Sequence, residues 1–291
     1  MKADRKVYDG SLHVPFTALV VGPSGSGKST FVARLIKQQN SLLSDSFHYM
    51  YIFLGTGRDQ NQVFVELQDL AEGTGQHVQL ESESLSAEDK IPHRIVIFDV
   101  RSIYFKDGIT SLKDTTFASD VETIIKKHHA EGLTGCLVFD DLMSELTDCN
   151  LLVPLFTKFS SHYEVSVIYT TQNLFHKGAR ASDHITIFRN TKLLTLFDSP
   201  MDYTVFSYVA QKLHGGGGSS SALADMFKAV AQDNRYIVIF GGFNVPSRLR
   251  FRTNIFAKLP FSHQKIIMPV KSSTSSRKAV RDGRIRKRTR A

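Results

Sequence analysis

The chain has 291 residues, 42% of them hydrophobic and 22% charged, which is globular composition and enough length to bury a sizeable core in one large domain. No apolar run approaches the ~20 residues that a membrane span requires, and the polar opening 1–6 lacks a signal-peptide core, so a soluble, intracellular protein is expected. The formal charge is +8, but residues 277–291 hold eight basic side chains against Asp282 alone, so the rest of the chain is close to neutral and the basicity belongs to a tail.

Residues 1–14 read as a polar lead-in, and the core begins near Phe16. The apolar run 17–21 leads into Gly22-Pro23-Ser24-Gly25-Ser26-Gly27-Lys28-Ser29-Thr30 and then into an amphipathic segment, 31–36. That order is strand, glycine-rich loop, helix. A triphosphate needs a cage of backbone N–H groups, and glycines let the main chain turn tightly enough around the anion. Lys28 then reaches the β- and γ-phosphates, the Ser29 hydroxyl ligates Mg²⁺, and the helix adds its positive N-terminal end. The alternative is a chance glycine loop. The full G-x-x-x-x-G-K-S match between a strand and a helix favours nucleotide binding by residues 22–30.

Residues 49–54 form a continuous apolar run stopped by Gly55, as expected of a parallel strand covered on both faces. A helix over 61–70, a short strand over 77–80 and a polar loop over 81–92 follow. Residues 94–99 are another buried-strand candidate, ending in Asp99. Ser119-Asp120-Val121-Glu122 has capping-box spacing and opens a helix towards His129.

The strand 136–139 ends in two acids, Asp140 and Asp141. In a P-loop enzyme an acid here holds the Mg²⁺ shell, and a neighbouring acid orients and deprotonates the attacking water, so Asp140 is assigned to magnesium and Asp141 to water. Asp99 is the rival, without a second acid behind it. Cys136 and Cys149, the only two cysteines, lack metal spacing and read as structural thiols. The β-branched strand 164–170 ends in Thr171-Gln172-Asn173, placed to face the γ-phosphate or merely to cap the strand. Gln172 is the natural reader of that phosphate.

A strand over 193–197, a helix over 201–213, a Gly/Ser linker over 215–221 and a short helix over 222–231 follow. Residues 236–240 and 249–256 then form a hairpin. Arg248, Arg250 and Arg252 alternate with Leu249 and Phe251, which is either a solvated edge protected by charge or a DNA-facing stripe. In the tail, Arg284, Arg286, Lys287 and Arg288 read as a DNA tether, a nuclear localisation signal, or both.

The P-loop, Phe139-Asp140-Asp141-Leu142-Met143, the run Thr171-Gln172-Asn173-Leu174-Phe175-His176-Lys177 and the closing Arg248-Leu249-Arg250-Phe251-Arg252-Thr253-Asn254 together resemble the genome-packaging ATPases of eukaryotic DNA viruses and Polinton-like elements, of the FtsK/HerA superfamily. The resemblance covers residues 15–257 and favours Asp140 and Asp141 over Asp99. It implies an α/β, RecA-like, mainly parallel sheet flanked by helices over 15–258, and the basic tail over 259–291 is expected from its own polar, Ser-rich composition to be disordered. It further implies ATP with Mg²⁺, assembly with copies of itself into a pentameric or hexameric ring, and pumping of double-stranded DNA into a preformed capsid. Its partners are then duplex DNA and a capsid or portal-vertex protein, in the host nucleus or the virion. Family members carry Pro-Arg-Asp where this chain has Pro200-Met201-Asp202, and an arginine where it has Ile185. Arg189 is therefore the candidate trans-acting arginine, with Arg180 as the alternative. The segment 99–133 is longer than the family core needs.

Two other readings compete. A replicative helicase or another RecA-like nucleic-acid ATPase would separate the strands of a fork. A regulatory NTP-binding protein would show no sustained turnover.

Overall fold

The structure is a computed structural model that describes residues 11–55, 77–81, 94–105, 109, 111–147, 149–174, 181–214, 218–242, 245–246 and 249–256. Its frame is one nine-stranded sheet. The strands are β1 (Thr17–Val21), β2 (Tyr49–Leu54), β3 (His77–Glu81), β4 (Arg94–Asp99), β5 (Gly135–Asp140), β6 (Val165–Thr171), β7 (Leu193–Phe197), β8 (Tyr236–Phe240) and β9 (Phe251–Arg252), in the order β3-β4-β2-β5-β6-β1-β7-β8-β9. The first seven in that spatial order are parallel, whereas β8 and β9 are added antiparallel at one edge.

The uninterrupted apolar runs follow from burial on both faces. Leu19 and Val21 of β1 enter one hydrophobic core and Ala18 and Val20 the other, so neither face can alternate with polar residues. On the first face Phe53 stacks against Phe98 and Phe139 at centroid distances of 5.4 and 5.0 Å, and Phe117 meets Phe53 edge-on at 5.4 Å. Phe117 opens the helix Phe117–Ala130, which buries Val121, Ile124 and Ile125 on the same core. The length of 99–133 thereby has a cause. β4 and β5 are consecutive in the chain but separated by β2, and a parallel crossover needs a covering helix.

Several local readings shift. Helix Phe117–Ala130 starts two residues before Ser119, and Ser119 Oγ donates to the Thr116 carbonyl at 2.7 Å instead of capping. The helix expected from Met201 begins at Thr204, where Asp202 accepts the Thr204 backbone N–H at 2.9 Å; hydrogen bonds from Thr204 hold that carboxyl below its usual pKa. Gly218–Asn234 is one helix, so the C-terminal part of the expected linker is helical. A helix not anticipated from the sequence, Ala181–Arg189, lies between β6 and β7. The expected helix over 61–70, the loop over 82–92, Phe175, His176, Lys177, Arg180, Arg248 and the tail with Arg284, Arg286, Lys287 and Arg288 lie outside the described residues. Among the described residues no helix is long and apolar enough to cross a membrane.

The hairpin forms with its second strand limited to Phe251–Arg252, and Arg252 is turned inward. Arg252 is 1% exposed, its guanidinium lies 3.9 Å from the Phe240 ring centroid, and its Nε donates to the Leu249 carbonyl at 2.8 Å. Arg250 is half-buried. Both faces of β9 are covered, since Phe251 packs on Phe227 of helix Gly218–Asn234 at 5.3 Å. Arg252 is thus a core residue, and the expectation that it contacts DNA is corrected. Arg252→Ala should lower unfolding free energy by about 2–4 kcal/mol, because a desolvated cation–π contact and its packing go together. Urea denaturation checks this, and an unchanged midpoint would place the side chain on the surface.

Candidate nucleotide site

The Gly22–Thr30 loop joins β1 to helix α1 (Lys28–Lys37). Gly25 and Gly27 have φ of +73° and +98°, the left-handed region that side chains disfavour, while Gly22 lies so close to Phe197 that an added Cβ would come within 2.5 Å of the Phe197 Cβ. Phe31 N–H donates to the Gly27 carbonyl at 2.9 Å, so the helical bonding starts at the end of the loop, while before it Gly22 N–H donates to the Thr171 carbonyl at 3.2 Å and Ser26 N–H to the Pro23 carbonyl at 3.3 Å. Lys28 is buried, and its Nζ donates to the Gly22 and Pro23 carbonyls at 2.9 Å each. Burial pulls the lysine pKa down, opposed by the carboxylates of Asp140 and Asp141.

Sheet order decides between the two acid-ended strands. Leu54 of β2 is level with both Asp99 on β4 and Asp140 on β5. β5 is two strand spacings from the P-loop strand, about 10 Å, and β4 is four, about 19 Å. Asp99 is also engaged elsewhere, accepting from Ser102 N–H at 3.2 Å and Ser102 Oγ at 2.6 Å as the cap of helix Val100–Tyr104. Asp140 instead meets the loop. Ser29 Oγ donates to Asp140 Oδ2 at 2.8 Å across 111 residues of sequence.

The fold is that of a P-loop NTPase. The strand between the loop strand and the acid-ended strand, β6, adds a third contributor. Thr170 of β6 donates to Asp140 Oδ1 at 2.9 Å and accepts the Asp141 backbone N–H at 3.1 Å. Asp141 has φ +53°, which turns it out of the strand, and its Oδ1 accepts Gln172 Nε2 at 3.3 Å. Thr171 caps the strand end, with its Oγ1 donating to the Asn173 carbonyl at 2.9 Å. Of the three polar residues there, Gln172 joins the acid, Thr171 is structural, and Asn173 contributes a backbone carbonyl to that cap. A nearby acid, Glu145, is buried and paired with Arg101, whose Nε donates to Glu145 Oε1 at 3.0 Å.

These residues fit a magnesium nucleotide. A hydroxyl oxygen and a carboxylate oxygen side by side are the hard donors that Mg²⁺ takes together with phosphate and water. The loop supplies backbone donors and one buried cation for the phosphates.

Two residues that sequence reasoning passed over shape the site. Thr170 looks like any β-branched strand residue. Gly55 reads as a strand stop, yet its N–H donates to the Asp140 carbonyl at 2.9 Å, and an added Cβ would lie 2.0 Å from the Asp141 carbonyl oxygen. Gly55→Ala must therefore displace the backbone of Asp141. It should cost about 1–3 kcal/mol of stability and lower turnover more than nucleotide affinity. Wild-type turnover in this variant, measured beside a urea melt, would mean the Asp141 backbone is not held against Gly55.

Arg189 lies apart from this cluster. It ends the helix Ala181–Arg189 and is exposed, close before Lys192, whose N–H donates to the Thr17 carbonyl at the start of β1. The loop follows the other end of β1, so Arg189 and its own P-loop are separated by the strand length, roughly 17 Å.

No protein-family model and no curated protein matches the chain. Similar solved structures include the genome-packaging NTPase of Sulfolobus turreted icosahedral virus 2 in complex with ATP-gammaS, at 12% identity over 78% of this chain and 92% of that chain, TM-score 0.46. A KaiC-like protein of Pyrococcus horikoshii is 17% identical over 64% of this chain and 73% of its own, TM-score 0.38. EssC (ATPases 2 and 3) from Geobacillus thermodenitrificans is 12% identical over 62% of this chain and 31% of its own, TM-score 0.35. The fold assignment rests on strand order and the site, not on these likenesses.

Proposed function

We propose that the chain is an ATPase that drives double-stranded DNA into a preformed viral capsid, working as a homo-oligomeric ring with Mg²⁺ and ATP. The observation that carries the hydrolytic part is the meeting of three separate segments at one point. Ser29 from the loop, Asp140 and Asp141 from β5, and Thr170 and Gln172 from β6 form one connected hydrogen-bond set. Lys28 and the loop N–H groups bind the phosphates, Ser29 and Asp140 hold the metal, and Asp141 takes the proton from the attacking water. Mg²⁺ supplies charge neutralisation at the β- and γ-oxygens when bound. Gln172 holds Asp141 in line and is positioned to sense loss of the γ-phosphate.

Support for packaging comes from the Asp140-Asp141-Leu142-Met143 and Gln172-Asn173-Leu174-Phe175-His176-Lys177 motifs, which resemble those of viral packaging ATPases. The DNA contacts are assigned to the basic tail, with Arg284, Arg286, Lys287 and Arg288, together with Arg248. The capsid or its portal vertex is the second partner, and the nucleus or the virion the place of action.

The test is steady-state ATP hydrolysis with and without blunt duplex DNA, beside an unwinding assay on a forked substrate and particle sizing by light scattering. Hydrolysis stimulated by duplex, in a ring-sized particle and without strand separation, is the expected result. Strand separation would transfer the chain to the helicases. Absence of hydrolysis with tight nucleotide binding would make it a switch.

A further inference from the structure

Thr170 is 0% exposed and carries one hydroxyl hydrogen. Its bonds therefore have fixed directions. The hydrogen goes to Asp140 Oδ1 at 2.9 Å, and a lone pair receives the Asp141 N–H at 3.1 Å. Asp140 is itself 1% exposed, and its other oxygen is taken by Ser29 Oγ at 2.8 Å. The metal-site carboxylate is thus gripped by two elements, by β6 at Oδ1 and by the P-loop helix at Oδ2. The same hydroxyl anchors the backbone of the next residue, Asp141, in a left-handed conformation that an aspartate adopts only at a cost unless something holds it.

We propose that Thr170 is the positioning residue that sets both acids of the nucleotide site at once, fixing the Asp140 rotamer for the metal shell and the Asp141 backbone for the water. The proposal rests on the magnesium-nucleotide reading above. Thr170 is fully buried and acts through the two aspartates. A hydroxyl at this position is needed for the coupling, and the methyl group of threonine is not. Burial adds to the effect. With the hydroxyl gone, the buried Asp140 Oδ1 loses a hydrogen-bond donor, and the rotamer that meets Ser29 loses one of its two supports.

Three proteins separate this from a purely structural role: wild type, Thr170→Ser, which keeps the hydroxyl, and Thr170→Val, which keeps the shape. The readouts are affinity for a fluorescent ATP analogue in EDTA, the Mg²⁺ concentration giving half-maximal enhancement of that affinity, turnover, and Tm. Thr170→Val should bind the analogue in EDTA like wild type, yet need about 10-fold or more Mg²⁺ and turn over about 10-fold or more slowly, the usual size of an effect on an outer-sphere partner. Thr170→Ser should restore both.

Wild-type Mg²⁺ dependence and turnover in Thr170→Val would overturn the proposal. So would equal losses in Thr170→Ser and Thr170→Val that track Tm, since packing alone would then explain them. If wild type itself neither binds the analogue nor responds to Mg²⁺, the nucleotide reading fails instead, and that outcome is seen before any variant is compared.

Discussion

Lys28→Ala is expected to abolish productive nucleotide binding, whereas Asp141→Asn should keep nucleotide bound and stop its hydrolysis. Lys28 Nζ holds the Gly22 and Pro23 carbonyls, which gives the loop its curvature around the anion as well as a positive charge at its centre. Removing it takes away both, and a loss of about 10²-fold or more in affinity follows from deleting a charge-assisted phosphate contact in a desolvated site. Asp141 instead accepts from Gln172 Nε2 through its carboxylate and donates its backbone N–H to the Thr170 hydroxyl. Asparagine keeps the shape and the hydrogen bond to a neighbour but accepts no proton, so turnover should fall by about 10²–10⁴-fold, the range of general-base contributions. Equilibrium binding of a fluorescent nucleotide and steady-state phosphate release, measured on both variants, check the division. Wild-type hydrolysis by Asp141→Asn would return the base role to another group.

Arg189→Ala should bind nucleotide and assemble normally while losing about 10³-fold in turnover, if Arg189 is the arginine that stabilises the transferring phosphoryl group in a neighbouring subunit. The geometry excludes the simpler version of this idea. Arg189 lies at the end of the sheet where β1 and β7 begin, and its own P-loop lies where β1 ends. Only another copy can present phosphates to it. The side chain is exposed and, among the described residues, forms no ion pair. Mixing Arg189→Ala with Lys28→Ala subunits should recover part of the activity, at interfaces where an intact loop faces an intact arginine. Full activity in Arg189→Ala alone, or no recovery in mixed rings shown to hold both variants, would assign Arg189 to an ordinary surface role. An exposed charge of that kind is worth about 1 kcal/mol or less.

The nucleotide loop was legible because everything it needs is local: a strand, nine residues and a helix, contiguous in sequence from Thr17 to Lys37. The parallel strands were legible for a similar reason, since burial on both faces leaves an apolar run that needs no partner to be recognised. Composition likewise placed most of the net charge in the tail. What the sequence left open was every choice that depends on which strands are neighbours. The second acid behind it favours Asp140 over Asp99, but only the order β4-β2-β5-β6-β1 gives the physical reason, bringing Asp140 to Ser29 and leaving Asp99 to cap a helix. The alternation of Arg250 and Arg252 was real, but a period of two gives a shared face and not its exposure. The covering of both faces of β9 turned Arg252 inward onto Phe240. Thr170 and Gly55 carried no signal of their own, because threonine is at home in any strand and glycine ends many. Their roles arise from contacts with Asp140 and Asp141 made across 30 and more than 80 residues of chain, and separations of that kind are set by the packing of the sheet and not by any pattern within a segment.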